Sequence, residues 1–230
     1  WRGHLVSEVP LADRLSLIAG GGSRSLSANP GGLAGVWAIE NSRDAIFEAL
    51  QKREVFGTTG TRIQPRFFAG WDFSREACVM RERDAHGYLR GTPMGGDLLA
   101  GPMGDAPEFL AYAAQDPQAA ALQKLQIIKG WIDSSGMSRY KVFDVAEEGG
   151  PGASALCAVF KDPEFNRQQP AYYYMRVLEI PTPRWSWRVC MDLPAQDRPD
   201  ECANDAPRFQ QELAWTSPIW YLPPAGSPAN

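Results

Sequence analysis

Two short turns gather the groups best suited to chemistry in this 230-residue chain. Thr58-Thr59-Gly60-Thr61-Arg62 offers hydroxyls, a flexible backbone and a guanidinium in one stretch, a set that suits an anionic, oxygen-rich group. Glu40-Asn41-Ser42-Arg43 adds a carboxylate and a second guanidinium. Thr58, Thr59 and Arg62 are therefore the candidates for holding the anion, and Glu40 and Arg43 for lining the rim of the same pocket. The competing structural reading has the threonines finishing a strand and Arg62 pairing with Glu40, an exposed ion pair of little energetic weight.

Other catalytic signatures fail on spacing. GGGSRS, GTTGTR and PMGGDL lack both the G-K-[ST] ending and the G-x-G-x-x-G pattern that cradle phosphates, so they read as turns. Neither a G-x-S-x-G nucleophile elbow nor an H-E-x-x-H zinc helix occurs. The only histidines, His4 and His86, are far apart in sequence and do not assemble a dinuclear metal site. His4 reads as a loop residue and His86, in RERDAHG, as a surface one. No catalytic or metal-ligating residue is assigned to this chain.

The cysteines Cys78, Cys157, Cys190 and Cys202 show no C-x-x-C spacing. Cys190 and Cys202 flank the polar, proline-containing stretch MDLPAQDRPDE, and a bridge closing so short a loop stabilises by ~2–3 kcal/mol in an oxidising compartment. A second bridge between Cys78 and Cys157 is open. This usage points to a periplasmic or secreted protein. Aromatic pairs Trp71/Phe73 and Trp185/Trp187, if on strands, share a face, either as platforms for a sugar or aryl ring or as packing.

The elements that must position the two turns begin at GVWA (35–38), a short apolar strand. A helix follows, with Asn41 placed to cap it, Asp44 in its first turn and Ala45, Ile46, Ala49 and Leu50 on one face. It is expected to end near Arg53, where Glu54-Val55-Phe56 opens a second strand. Strand, helix and strand predict a parallel β-α-β unit, whose functional groups stand at the carboxyl ends of the strands. One such unit closes no barrel by itself. Its apolar edges therefore require a companion segment or a second copy of the chain, a homodimer. Before it, residues 1–34 read as a long loop with a short helix near Leu11–Leu17.

After Arg62 the texture is strand-like: Arg62–Ala69, Glu108–Gln115, Leu122–Ile132, Ser138–Val145, Ser154–Lys161, Ala171–Pro181 and Thr216–Leu222. Ser134-Ser135-Gly136 sits at hairpin spacing, and Asp116-Pro117 and Asp162-Pro163 stop strands. The pattern predicts an antiparallel β-sandwich over 62–230, preceded in 1–61 by the end of an α/β barrel: an α+β chain.

Lys+Arg 23 against Asp+Glu 27 gives a formal net charge of −4, which attracts no polyanion, so nucleic acid is not an expected partner. No apolar run approaches the ~20 residues of a membrane-spanning helix. The opening WRGHLVSEVP is not a signal peptide, so a leader has been removed or the chain begins inside a longer protein.

The run PGGLAGVWAIENSRDAIFEALQKREVFGTTGTRIQPRFFAGWDF, then PMGGDL, LQIIKGWID, KVFDVA, AYYYMRVLEIPTPRW and TSPIWY, resembles successive blocks of a bacterial domain-of-unknown-function family. That family is related to the PHP (polymerase and histidinol phosphatase) metal-dependent phosphoesterases. The resemblance implies that these blocks are the end of a longer hydrolase acting on a small-molecule ester. Its divalent metals, zinc, manganese or iron, would be held by an N-terminal barrel segment, and none by this chain. The chain departs from the expected pattern at Thr61, where a proline is expected, and in the short glycine-rich stretch between Val145 and Ala153. The alternative to a hydrolase portion is a non-catalytic β-sandwich that binds a glycan, an aromatic ligand or a partner chain.

Overall fold

The computed structural model describes residues 31–198, 202 and 208–224. His4, the expected 11–17 helix and most of the expected N-terminal loop lie outside the described residues. In chain order the strands are β1 (Leu33–Val36), β2 (Val55–Thr58), β3 (Gln64–Gly70), β4 (Gly91–Pro93), β5 (Asp97–Leu99), β6 (Glu108–Ala114) and β7 (Leu122–Ile132). They continue with β8 (Ser138–Glu147), β9 (Ala155–Lys161), β10 (Ala171–Glu179), β11 (Thr182–Pro183), β12 (Phe209–Gln210), β13 (Leu213–Thr216) and β14 (Ile219–Leu222). The helices are α1 (Arg43–Gln51), α2 (Arg83–Arg90) and α3 (Trp185–Asp192).

Residues Gly32–Ile180 and those from Glu212 onward form one compact unit, and Pro181–Gln211 belong to another. The larger unit holds an eight-stranded sheet and a four-stranded sheet, the latter ordered β4-β3-β6-β9. Pairing is antiparallel throughout except for β5 beside β14. At the centre, β10 alternates strictly: Ala171, Tyr173, Met175 and Val177 are buried, while Tyr172, Tyr174 and Arg176 point the other way. One edge of β10 carries β7 along its length, and the other carries β13 and then β14. Arg176 faces Trp215 whereas Tyr173 faces Ile219, so the incoming strand holds one residue more than its partner. This is a bulge at Ser217-Pro218, where a proline costs no ladder bond. Residues of both sheets share one core, and Phe109 of the small sheet meets Tyr173 of the large one with ring centroids 4.5 Å apart.

The expected parallel β-α-β unit is corrected by the pairing of its strands. β1 and β2 are antiparallel, with Leu33 opposite Thr58 and Val36 opposite Val55. The stretch after β1 carries the chain outward, and α1, ~14 Å long at 1.5 Å per residue, brings it back to the end it left. The Trp37 N–H closes this excursion on the Glu54 carbonyl at 2.9 Å. β2 then pairs antiparallel with β13, so the segment read as the end of a barrel is an arm of the eight-stranded sheet. Ser42, not Asn41, caps α1: its hydroxyl accepts the Ala45 N–H at 3.3 Å. Arg53, at φ 60, is the left-handed residue after the helix.

Six of the later strands, β3 and β6 to β10, fall close to their expected places, and the β7–β8 hairpin turns at Gly136 with φ 80. The expected strand Thr216–Leu222 is instead broken at Ser217-Pro218 between β13 and β14, and β4, β5, β11, β12, α2 and α3 were not expected. Both disulfides are formed: Cys190–Cys202, and Cys78–Cys157, which ties the 3-10 turn Arg75–Val79 to β9. They are consistent with an extracellular or periplasmic protein. Among the described residues no helix is long and apolar enough to cross a membrane. In the smaller unit, β11 pairs with β12, and Trp187 packs on the buried disulfide while the Arg208 guanidinium lies over its ring at 4.8 Å.

Candidate functional site

Antiparallel pairing places the two sequence-predicted turns at opposite ends of the β1–β2 pair, so Glu40 and Arg43 are not brought together with Thr58, Thr59 and Arg62. Thr58 is buried, and its Oγ1 accepts the Gly60 N–H at 3.1 Å. The Thr59 hydroxyl donates to the Glu212 carboxylate and accepts the Leu213 N–H at 2.9 Å. Arg62 is exposed, and its backbone N–H donates to Asp116 Oδ2 at 2.9 Å. Backbone hydrogen bonds from Gln118 and Arg62 hold the Asp116 carboxyl below its ordinary range.

Burial pushes the Glu179 carboxyl up to about 7; the Thr61 hydroxyl opposes that shift, and the charges of Glu212 and Asp116 add to it. An anion at the 58–62 turn would thus meet three carboxyl groups, Glu179, Glu212 and Asp116. The Thr58 and Thr59 hydroxyls already serve backbone and side-chain partners, while Arg62 and Glu40, expected in the structural reading to pair, stand at opposite ends of the β1–β2 pair.

The built site lies at the other end, where Glu40 and Arg43 stand exposed on the turn into α1. A cleft of about 650 Å³ is lined by Trp37, Glu48, Lys52, Glu54, Arg66 and Tyr88, over a floor that includes Ala45 and Ala49. Its centre is Arg66 of β3. The guanidinium lies 3.5 Å from the Trp37 ring centroid, one nitrogen donates to the Tyr88 hydroxyl at 3.1 Å, and another pairs with Asp84 at 3.1 Å. Trp37 is held in turn by donation from Nε1 to the Pro65 carbonyl at 3.0 Å.

Tyr88, from α2, donates to Glu54 Oε2 at 2.5 Å, and Glu48 pairs with Lys52 at 2.6 Å along α1. Burial first, then the Glu54 carboxylate, raises the Tyr88 hydroxyl to about 12, so it stays a neutral donor at ordinary pH. The arrangement fixes an arginine fork between an aromatic face, a hydroxyl and a carboxylate, with part of its five-donor set left over. Such an arrangement can position and hydrogen-bond a polar ligand and offers it no nucleophile. Among the described residues no grouping of three or more His, Cys, Asp or Glu side chains is placed to hold a metal ion.

Other sequence-level candidates resolve into packing. Phe73 is buried, whereas the Trp71 indole donates to the Leu99 carbonyl at 3.2 Å and packs edge-on against Phe165, so the two form no joint platform. Trp185 and Trp187 lie on α3, where residues two apart point to different sides. His86 is half-buried against the Phe73 ring at 5.8 Å, not a surface residue. The Arg66 centre carried no short-range signal, because Trp37, Glu54, Arg66 and Tyr88 come from four separate stretches.

The fold is a two-sheet, mainly antiparallel β-sandwich with a lateral cleft. The chain belongs to the DUF3604 family, described as proteins of unknown function, which it matches over residues 2–151 and 147–223. No curated protein and no solved structure matches it.

Proposed function

We propose that this chain is the C-terminal portion of a metal-dependent, phosphoesterase-like hydrolase related to the PHP enzymes, working in the periplasm or outside the cell. In this reading it supplies one wall of the substrate pocket and the β-sandwich that supports it. The observation that carries the reading is the Arg66 centre, whose guanidinium is fixed by Trp37, Tyr88 and Asp84 before any ligand arrives. Preorganised donors of this kind stabilise charge on a bound ester at little reorganisation cost.

This reading assigns Glu40 and Arg43, sequence neighbours of the cleft-lining Ile39 and Ala45, to the rim. The 58–62 turn, with its carboxyl neighbours, serves the join between β2 and β13. The divalent metals, zinc, manganese or iron, belong to the N-terminal barrel segment of the longer protein, and the substrate is a small-molecule ester. No chemical step is assigned to a metal on this chain.

The test is metal analysis and ester hydrolysis on two purified forms, the full-length protein and the 230-residue chain. Stoichiometric metal and turnover of aryl phosphate esters in the full-length form alone support the proposal. Metal-free, inactive protein in both forms contradicts it.

A further inference from the structure

The outer face of the eight-stranded sheet carries a pattern that the cleft does not use. Because Tyr173 and Met175 enter the core, Tyr172 and Tyr174 emerge on the opposite side of β10, with ring planes 13° apart and centroids 6.4 Å apart. Trp220 of β14 faces Tyr172 across the strand gap at 5.3 Å between centroids. On the other flank Tyr172 faces Gly130 of β7, and any Cβ at Gly130 would strike the Tyr172 ring. The glycine therefore lets that ring recline on the sheet with its outer side toward solvent. Beyond Gly130 the row continues to Tyr140 of β8. Tyr140 is 75% exposed and Trp220 41%, so the row remains open.

Four residues further along the strands, past the row of Tyr174, Ile128 and Val142, runs a polar row. Arg176 donates to Gln126 at 2.7 Å, and Gln126 donates to Asp144 at 2.6 Å, across three adjacent strands. Lys124 completes it with a 2.9 Å bond to Asp144. These planar groups hold one another rigid on the same face as the reclining rings.

We propose that this face is an oligosaccharide-binding platform. A pyranose ring has an apolar C–H face and a rim of hydroxyls, and here the stacked rings of Tyr172 and Tyr174 lead, through Tyr174, to a row of fixed donors and acceptors on the same face of the sheet. A protein partner calls for an apolar centre ringed by polar groups. The face instead sets its polar row to one side of the rings, not around them. The platform is separate from the cleft and does not depend on the hydrolase proposal.

The experiment titrates the 230-residue chain with three neutral β-linked hexasaccharides, cellohexaose, xylohexaose and chitohexaose, by calorimetry and tryptophan fluorescence. At least one binds with a Kd at or below ~1 mM. Trp220→Ala and Tyr172→Ala each weaken it about tenfold or more in protein that remains folded at the titration temperature, while Tyr172→Phe, which keeps the ring, stays within about threefold. Absence of binding by all three sugars, or binding undiminished in both alanine variants, overturns the proposal. So does sedimentation showing a dimer that Trp220→Ala dissolves, because a second copy then occupies the face.

Discussion

Replacing Lys129 by methionine removes the cation from the core of the sandwich. Lys129 Nζ lies 2.6 Å from Asp162 Oδ2 and 2.7 Å from the Glu164 carbonyl, and the two charged side chains are 5% and 0% exposed. Removing one partner of a buried pair costs about 3–5 kcal/mol, because the other charge stays buried and uncompensated. Asp162 keeps two donors, the Tyr173 hydroxyl at 2.8 Å and the Glu164 N–H at 2.9 Å, which places the expected loss at the lower end, about 3 kcal/mol. The assay is urea unfolding at neutral pH, followed by tryptophan fluorescence with the disulfides intact. The double variant Lys129→Met/Asp162→Asn removes both charges and is expected to recover at least half of the loss. A single-variant loss below about 1 kcal/mol, or a double variant no more stable than the single, refutes the reasoning, since it would mean that no uncompensated charge had been left behind.

Three further outcomes are expected. Glu179, with its carboxyl raised to about 7 in the folded chain, favours folding most below its ordinary value of 4.5 and loses that contribution as pH rises through 7. Glu179→Gln should therefore be more stable than the parent at pH 8 and lose that advantage by pH 5, as read from unfolding temperatures across the range. Converting Cys78 and Cys157 to alanine opens a loop of sequence separation 79 and should cost roughly 4–5 kcal/mol in urea unfolding. Gly130→Ala sets a methyl against the Tyr172 ring and should cost about 1–3 kcal/mol, measured by thermal unfolding, because the ring must leave its seat.

The strands were the legible part of this fold. Alternation in 171–179 and the turn residues Gly136, Pro117 and Pro163 mark positions where side-chain direction and proline chemistry leave one solution. The direction of β2 was not legible. A strand, a helix and a strand usually return parallel, and only the Trp37–Glu54 bond and the pairing of β2 with β13, supplied more than 150 residues later, reverse it. The error reached the candidate site, because proximity of Glu40 and Arg43 to Thr58 and Arg62 rested on parallel strands. Trp185 and Trp187 failed for a different reason: an arginine- and tryptophan-containing stretch before Cys190 carries no period strong enough to separate helix from strand. The pairing of Cys190 with Cys202 was legible because a short polar loop between two cysteines leaves them near each other in almost any fold.

The most direct measurement is kcat/KM for ester hydrolysis by the full-length protein and its Arg66→Ala variant, compared at equal bound metal. A binding wall built on that guanidinium predicts a fall of about tenfold or more, with metal content and unfolding temperature unchanged. Equal kcat/KM in the two proteins for every ester hydrolysed would contradict it.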